Sequence, residues 1–273
     1  MSLLNEIRQT VEFLQSEGID NPDIGIVLGT GLGKLVNEIE IEKMIEYHQI
    51  PNFPVSTVES HRGKLIAGKL EGKNILAMQG RFHFYEGYTL EKVTFPVRVM
   101  KLLGIKYLLL SNAAGSMNLK FKKGSLMLLN DHINLLPGNP LIGPNQDEFG
   151  PRFPDMSEPY SALLNSVFRK VADRKDILLH EGTYVAVMGP NLETRAEYRM
   201  LRDYADAVGM STVPEVIVAN HMGLPCAAVS VLTDECDPDN LKKTTLGEII
   251  QTASVAEVQL IRLFRGVIAE LDI

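Results

Sequence analysis

The chain has 273 residues, 45% of them hydrophobic and 22% charged, which is enough to bury a sizeable core in one or two domains. Its formal net charge of −7 argues against a nucleic-acid partner held by general electrostatics. No window approaches the roughly 18 consecutive apolar residues of a membrane span, and the N-terminus has neither the basic nor the apolar region of a secretory signal.

Hydrophobic periodicity predicts alternating helices and strands along the whole chain. The predicted helices cover residues 3–17, 89–103, 158–173, 195–205, 213–222 and 246–271. The predicted strands cover residues 23–28, 64–70, 73–78, 105–110, 125–129, 183–188, 206–210 and 225–232. With no linker or repeat, this order predicts one α/β domain over residues 1–273, with a mixed central sheet flanked by helices on both faces.

A glycine turn, Gly29-Thr30-Gly31-Leu32-Gly33, follows the first predicted strand. Its backbone N–H groups and the Thr30 hydroxyl could meet an anion. The spacing fails the dinucleotide pattern because residue 34 is lysine, and it fails the P-loop because residue 35 is leucine. A plain strand-to-helix turn is the alternative at this point.

The stretch Gln79-Gly80-Arg81-Phe82-His83-Phe84-Tyr85-Glu86-Gly87-Tyr88 follows a predicted hairpin. If it is extended, Arg81, His83 and Tyr85 share one face, and Phe82 and Phe84 anchor the other. A guanidinium beside an imidazole suits a small oxyanion such as phosphate. The alternative is a surface strand with its polar residues outside.

Further polar residues follow other predicted strands, at Asn112, Glu193, Ser211 and Asp234. A doubly wound sheet gathers strand ends at one edge, so we expect these residues to share a pocket. Each has an ordinary alternative: Glu193 could be a first-turn acid of a helix, and Asp234 could begin a turn. Residues 135–157 form a loop too long for an idle connection, which favours a lid or a subunit contact.

Several ordered blocks resemble the trimeric purine nucleoside phosphorylases over nearly the whole chain. They are the glycine turn, residues 80–88, Ser111-Asn112-Ala113-Ala114-Gly115, Glu181-Gly182-Thr183-Tyr184 and Gly209-Met210-Ser211-Thr212-Val213-Pro214-Glu215-Val216. The resemblance implies a phosphorylase/hydrolase-like fold, a homotrimer, and phosphorolysis of a purine nucleoside to free base and ribose 1-phosphate. Inorganic phosphate would be a co-substrate, with no cofactor.

The resemblance also implies a role for each matching residue. Phosphate would be held by Thr30, His61, Arg81, His83, Ala113 and Ser211. The ribose would meet Tyr85 and Met210, and also Phe153 of a neighbouring subunit. The base would meet Glu193, Asp234, Leu192 and Val208, and the catalytic residues would be His83, Glu193, Asp234 and Asn112.

Two positions depart from the family pattern. Asp234 stands where the 6-oxopurine enzymes usually carry asparagine, and Leu246 stands where many members place a histidine for the ribose 5′-hydroxyl. Both changes favour adenosine or methylthioadenosine, whereas Glu193 favours the protonated N1 of inosine and guanosine. We expect inosine and guanosine as substrates, with the adenine nucleosides as the alternative.

Other functions fit less well. A non-catalytic nucleoside binder would not need the full phosphate cluster, and a dinucleotide oxidoreductase would need different glycine spacing. Cys226 and Cys236 lack zinc spacing, so we expect free thiols, no metal and a cytoplasmic protein.

Overall fold

The structure is a computed structural model that describes residues 2–55 and 63–273. Within these residues the strands are β1 (Ile24–Leu28), β2 (Glu40–Glu46), β3 (Lys64–Leu70), β4 (Lys73–Gln79), β5 (Tyr107–Ser116), β6 (Leu126–Asn134), β7 (Leu179–Ala186), β8 (Ala207–Gly209) and β9 (Cys226–Glu235). The helices are α1 (Leu3–Ser16), α2 (Leu90–Val93), α3 (Phe95–Leu103), α4 (Ala162–Arg174), α5 (Arg195–Leu201), α6 (Val213–His221) and α7 (Leu246–Glu270).

The strands of this described part form one mixed sheet. Their order is β2-β3-β4-β1-β5-β8-β7-β6-β9, and β9 pairs with β5 as well as with β6. The extra pairing closes β5, β8, β7, β6 and β9 into a ring. β1 is parallel to β4 and β5, and β9 is parallel to β5, whereas β8 is antiparallel to β5. β5 is therefore shared by the open part of the sheet and by the ring.

Apolar side chains fill both faces of the sheet. On one face Ile7 of α1, Val97 of α3 and Val216 of α6 are buried. On the other face Phe168 of α4 and Phe264 of α7 are buried, with their ring centroids 5.6 Å apart. The predicted α/β class, with a mixed central sheet and helices on both faces, is confirmed.

Two predicted helices have different bounds in the structure. α4 begins at Ala162 rather than at residue 158, because the Ser161 side chain accepts the Leu164 N–H at 3.4 Å and so caps the helix there. The predicted helix 89–103 is divided into α2 and α3 at Thr94. Pro96 lacks an N–H group and therefore lies in the first turn of α3, where no backbone bond is lost.

Some strands in the structure differ from the predicted ones, because backbone pairing with neighbouring strands extends beyond the apolar runs. The edge strand β2 was not predicted, and most of its residues are exposed. β5 continues to Ser116, well past the apolar run that predicted it, because its polar second half pairs with β9 and β8. The stretch 79–88 is not extended throughout: β4 ends at Gln79, and a 3-10 turn covers Phe84–Glu86.

The long loop is confirmed, since residues 135–161 contain no helix or strand. Both cysteines are buried free thiols. Among the described helices, none combines the length and the apolar composition that crossing a membrane requires.

Candidate active site

One cavity of about 400 Å³ opens where β1, β4, β8 and β9 end and along the polar half of β5. This volume lies in the range of small-molecule sites. Its walls contain nearly all the residues that the sequence analysis assigned to a site. These are Thr30, Arg81, His83, Tyr85, Asn112, Ala113, Leu192, Glu193, Val208, Met210, Ser211, Asp234 and Leu246. His61 lies outside the described residues, and Phe153 lies elsewhere.

Arg81 is a buried cation with a buried partner. Its side chain is 1% exposed, and its Nε and Nη2 atoms donate to the two carboxylate oxygens of Glu215 at 3.2 and 2.6 Å. Nη1 donates to the Ser111 carbonyl at 2.5 Å. The alternative of a surface strand is therefore wrong at Arg81. The guanidinium is held in place by groups from β5 and α6.

His83 reaches the cavity from the turn that follows Arg81. Its backbone N–H donates to the Glu86 carboxylate at 2.8 Å, and its Nδ1 lies 3.1 Å from the same oxygen. The ring stacks on Tyr85 at 4.7 Å. Burial lowers the pKa of His83, and Arg81 lowers it further, while Glu86 opposes the shift. The Glu86 carboxylate favours a proton on Nδ1, so that a neutral ring would have its acceptor at Nε2 and only a protonated ring could donate from Nε2.

The glycine turn packs directly on β5. A Cβ at Gly29 would lie 2.8 Å from both the Asn112 Cα and the Ser111 carbonyl oxygen. Gly31 has a φ of +73°, which favours glycine. The close approach at Gly29 and the positive φ at Gly31 allow the turn to pack on β5, and Thr30 between them lines the cavity.

Asn112 joins three segments through its amide. Its Nδ2 donates to the Thr212 hydroxyl at 2.9 Å, and its Oδ1 accepts from the Ser230 hydroxyl at 2.7 Å. The side chain is 1% exposed. Much of its hydrogen-bonding capacity is therefore used within the protein, and its predicted catalytic role stays a prediction.

Thr212 has a backbone conformation that non-glycine residues rarely adopt, with φ +64° and ψ −52°. The Val213 N–H donates to the Ser211 carbonyl at 2.7 Å, which makes a strained γ-turn. The Ser211 N–H donates to the Tyr184 hydroxyl at 3.3 Å. The turn places Ser211 in the cavity wall, and Asn112 holds the Thr212 side chain.

A β-bulge near the end of β9 places Asp234. β5 pairs Ala114 with Leu232 but Gly115 with Asp234, so Thr233 is the extra residue. The Thr233 hydroxyl donates to Asp234 Oδ1 at 2.9 Å, and the Cys236 thiol donates to Oδ2 at 3.2 Å. The carboxyl group is thus anchored on both oxygens.

Glu193 precedes α5 but does not lie in its first turn, because Thr194 is the capping residue. The alternative of a first-turn acid is therefore wrong. Burial raises the pKa of Glu193, and the nearby Asp234 raises it further, while interaction with the Tyr198 hydroxyl opposes the shift. Glu193 and Asp234 both line the cavity.

Phe153 is 86% exposed and lines a second cavity of about 380 Å³. Its ring lies under the Arg152 guanidinium at 5.6 Å. It does not reach the first cavity of its own chain. Its predicted contact with a neighbouring subunit stays a prediction.

Sequence analysis missed several residues that support the site. A signal existed for Glu215, because a lone acid in the apolar segment Val213–Ile217 requires a buried partner. No local signal existed for Thr212 and Ser230, which lie 100 and 118 residues from Asn112 along the chain. Tyr198 also lines the cavity, and only the turn before α5 brings it beside Glu193. Within residues 2–55 and 63–273, no group of three or more His, Cys, Asp or Glu is placed to hold a metal ion.

Comparison with known proteins identifies the class. Residues 23–269 match the family model described as the phosphorylase superfamily. The chain is 46% identical over 269 residues to purine nucleoside phosphorylase 1 of Bacillus subtilis, covering 98% of this chain and 99% of that protein.

Solved structures agree. Isoform 2 of the Schistosoma mansoni purine nucleoside phosphorylase, in complex with cytosine and ribose-1-phosphate, matches with a TM-score of 0.94 and 43% identity, covering 98% of this chain and 97% of that one. A Schistosoma mansoni purine nucleoside phosphorylase in complex with adenosine matches with a TM-score of 0.93 and 41% identity, covering 98% of each chain. The chain therefore belongs to the phosphorylase superfamily and, within it, to the purine nucleoside phosphorylases, a family of enzymes.

The buried ion pair generates a stability prediction. Arg81→Ala should lower the free energy of unfolding by about 3–5 kcal/mol, because Glu215 would be left as an unpaired buried charge. Arg8→Ala is the matched control: it breaks the Arg8–Glu148 pair, whose side chains are 55% and 57% exposed, and should cost at most about 1 kcal/mol. Urea unfolding measures both. Equal losses for the two variants would contradict the assignment.

The lowered pKa of His83 generates a pH prediction. Only the protonated ring can donate from both nitrogens, to Glu86 and to an oxyanion. Above the lowered pKa, affinity for an oxyanion at His83 should fall by up to about tenfold per pH unit. Sulfate, as a competitor of phosphate, suits the measurement because it does not titrate near neutral pH.

His83→Gln is the matched variant for this measurement, since its amide keeps a donor without titrating. The sulfate inhibition constant should then be independent of pH. A wild-type constant that is equally flat between pH 5.5 and 8 would remove His83 from the anion site.

Proposed function

We propose that this enzyme phosphorolyses purine nucleosides, with inosine and guanosine and their 2′-deoxy forms as preferred substrates. The observation that supports this most is one cavity with two groups of residues. Arg81 and His83 form the first group, and Thr30 of the glycine turn and Ser211 line the same cavity. Glu193 and Asp234 lie in the other. The first group has the chemistry for phosphate, and the second has the chemistry for a purine edge.

The reaction exchanges one bond for another at the anomeric carbon. The C1′–N9 bond breaks and its electron pair goes to the purine, while a phosphate oxygen forms the new bond to C1′. The sugar is positively charged in the transition state, as in other glycosyl transfers. Phosphate held in place by Arg81, His83 and Ser211 both attacks this carbon and stabilises its charge.

The departing purine gains negative charge, which hydrogen bonds at N7 and O6 would disperse. In this proposal Glu193 accepts the N1–H of a 6-oxopurine, and the 2-amino group of guanine adds a second donor toward it. Tyr85 and Met210 contact the ribose from the cavity wall. Phosphate is consumed as a co-substrate, and no cofactor takes part.

Adenosine and methylthioadenosine are the second candidates, favoured by two observations. Both oxygens of Asp234 accept hydrogen bonds in the structure, so the group can also accept from a 6-amino group. Leu246 lines the cavity at the start of α7 and would tolerate an apolar 5′ substituent. The adenosine complex of the Schistosoma mansoni relative supports this candidate.

Assembly as a homotrimer belongs to the same proposal. Phe153 is exposed on the long loop and lies outside its own cavity, and the proposed trimer would bring it over the ribose of a neighbour. One domain over residues 1–273 and a location in the cytoplasm complete the proposal. Buried free thiols are compatible with that location.

Base release tests the proposed reaction. Inosine, guanosine, adenosine and methylthioadenosine should each be incubated with and without inorganic phosphate. Release should require phosphate, and the 6-oxopurine nucleosides should give the highest kcat/KM. Ser211→Ala should raise the phosphate KM about ten- to a hundredfold, because it removes one hydrogen bond to a charged group.

Ser157→Ala, at an exposed position on the long loop, is the matched control and should leave the phosphate KM unchanged. Base release that is independent of phosphate would contradict phosphorolysis.

Sedimentation and kinetics test the role of Phe153. The wild type should sediment as a trimer, and Phe153→Ala should raise the nucleoside KM by about tenfold or more with little change in the phosphate KM. Leu178→Ala removes a side chain that is 68% exposed away from the long loop, and it should change neither constant. A monomer with full activity would contradict the proposed trimer.

A further inference from the structure

Residues outside the active cavity hold the end of the glycine turn. Another cavity, of about 250 Å³, borders the turn, and Gly33, Gln79 and Glu257 lie in its wall. Gly29 is shared by this cavity and the active one. In the described part of the chain, Gln79 and Glu257 line the smaller cavity and not the active one. Both side chains can therefore act on the turn without touching a substrate.

The peptide group between Gly33 and Lys34, at the end of the turn, is bonded on both edges. Its carbonyl accepts from Gln79 Nε2 at 3.0 Å, and its N–H donates to Glu257 Oε1 at 2.5 Å. The C=O and N–H of a trans peptide lie in one plane and point in opposite directions. The two bonds therefore fix the orientation of this plane between β4, which leads to Arg81, and α7.

Glu257 is a buried acceptor for the main chain. Its side chain is 1% exposed, and its Oε2 lies 3.9 Å from Lys34 Nζ. The same ammonium donates to the Ser254 hydroxyl at 2.5 Å, so both the backbone and the side chain of Lys34 are bound to α7. Burial of a carboxylate is costly unless its oxygens accept hydrogen bonds, and the Lys34 N–H supplies one of them.

The helix α7 contacts the middle of the turn as well as its end. A Cβ at Gly31 would lie 3.1 Å from the Ala253 Cβ, so the helix leaves little room at this residue. Leu246 and Ile249, at the start of the helix, line the active cavity. Steps of three and four residues join Leu246, Ile249, Ala253 and Glu257, so they share one helix face. This face extends from the active cavity to the end of the glycine turn.

The start of the turn is fixed from a different direction. The Gly29 N–H donates to the Ser111 hydroxyl at 3.3 Å, and the Leu32 N–H donates to the Gly29 carbonyl at 3.1 Å. Thr30 lies between this start and the bonded N–H of Lys34. A short turn that is fixed at both ends retains few backbone conformations. The position of the Thr30 hydroxyl therefore depends on the anchor at each end.

We infer, on the basis of the proposed function, that Glu257 is a positioning residue for phosphate and acts through Thr30. Glu257 orients the peptide at the end of the turn, and the turn holds the Thr30 hydroxyl toward the anion. Gln79 holds the same peptide from its other edge. Donors that are in place before the anion arrives bind it without a cost of reordering. Loss of Glu257 should therefore weaken phosphate binding and not nucleoside binding.

The direction of the effect separates positioning from simple electrostatics. An ionised Glu257 and phosphate are both anions, so Coulomb repulsion alone predicts that removal of the carboxylate tightens phosphate binding. Positioning predicts the opposite, because the Lys34 N–H loses its acceptor and the turn loses one anchor. A higher phosphate KM in a variant without the carboxylate is therefore specific to the positioning role.

Steady-state kinetics with phosphate and inosine varied separately test this role. Glu257→Ala should raise the phosphate KM about tenfold, as expected for a displaced donor to a charged group, and should change the inosine KM by less than about twofold. Partial unfolding would lower kcat alone, because the remaining folded molecules would keep their KM. Glu257→Gln keeps a carbonyl oxygen for the Lys34 N–H, so its phosphate KM should stay within about threefold of the wild-type value.

A double-mutant cycle tests the route through Thr30. Thr30→Val removes the hydroxyl that the turn is proposed to hold. In this background Glu257→Ala should raise the phosphate KM by no more than about twofold further, because the group that it positions is already absent. A further increase as large as that in the wild-type background would overturn the route.

Glu270→Ala is the matched control. It removes a carboxylate from the far end of the same helix, where Glu270 pairs with Arg174, and should leave both KM values unchanged. A phosphate KM for Glu257→Ala that equals or falls below the wild-type value would overturn the positioning role. So would a Glu257→Gln variant as impaired as Glu257→Ala. A wild type that releases no base with phosphate would instead overturn the proposed function.

Gln79→Leu covers the case in which Glu257→Ala does not fold. It removes the donor to the Gly33 carbonyl, on the other edge of the same peptide. The phosphate KM should rise by about fivefold or more, with the inosine KM again unchanged. A phosphate KM that is unchanged or lower in Gln79→Leu would overturn the fixed peptide as the origin of the effect.

Discussion

The active cavity depends on the buried pair between Arg81 and Glu215. The guanidinium bonds both carboxylate oxygens of Glu215 and the Ser111 carbonyl, so the end of β4, the middle of β5 and the first turns of α6 meet at one cation. A buried charge without a partner is costly, and here the partner comes from the same helix that follows Ser211. The pair therefore orients the predicted phosphate residues relative to one another.

The strained backbone of Thr212 is the second feature that shapes the cavity. A threonine at positive φ is maintained only when its surroundings compensate for the conformation, and here the Asn112 amide and the start of α6 do so. Asn112 is bound in turn to Ser230 of β9. The walls of the cavity are thus connected through one buried polar network, which crosses β5 at the point where the ring closes on the open sheet.

Glu193 and Asp234 line the same cavity and have polar neighbours of their own. Thr233, Cys236 and Tyr198 supply hydroxyl and thiol groups next to two carboxyl groups, and no cation is bound to either group among the described residues.

The sequence by itself determined the class of fold, because buried strands and amphipathic helices have distinct periods, and those periods do not depend on the rest of the chain. It also predicted which residues would serve phosphate and base, through ordered blocks that can be recognised even where the predicted bounds of the helices and strands are inexact. Thirteen of the residues that it singled out line one cavity, counting Leu246, although residues 79–88 are not extended throughout.

Only the tertiary structure decided how those residues are held. The Glu215 partner of Arg81, the clamp of Asn112 by Thr212 and Ser230, and the bulge that aims Asp234 all join segments far apart in the chain. The sequence does not show which residues meet in such contacts, since each contact depends on how distant elements are placed relative to one another and not on the spacing within one element. The closure of β9 on β5 is of the same kind, because hydrophobic alternation predicts a strand but not its neighbours.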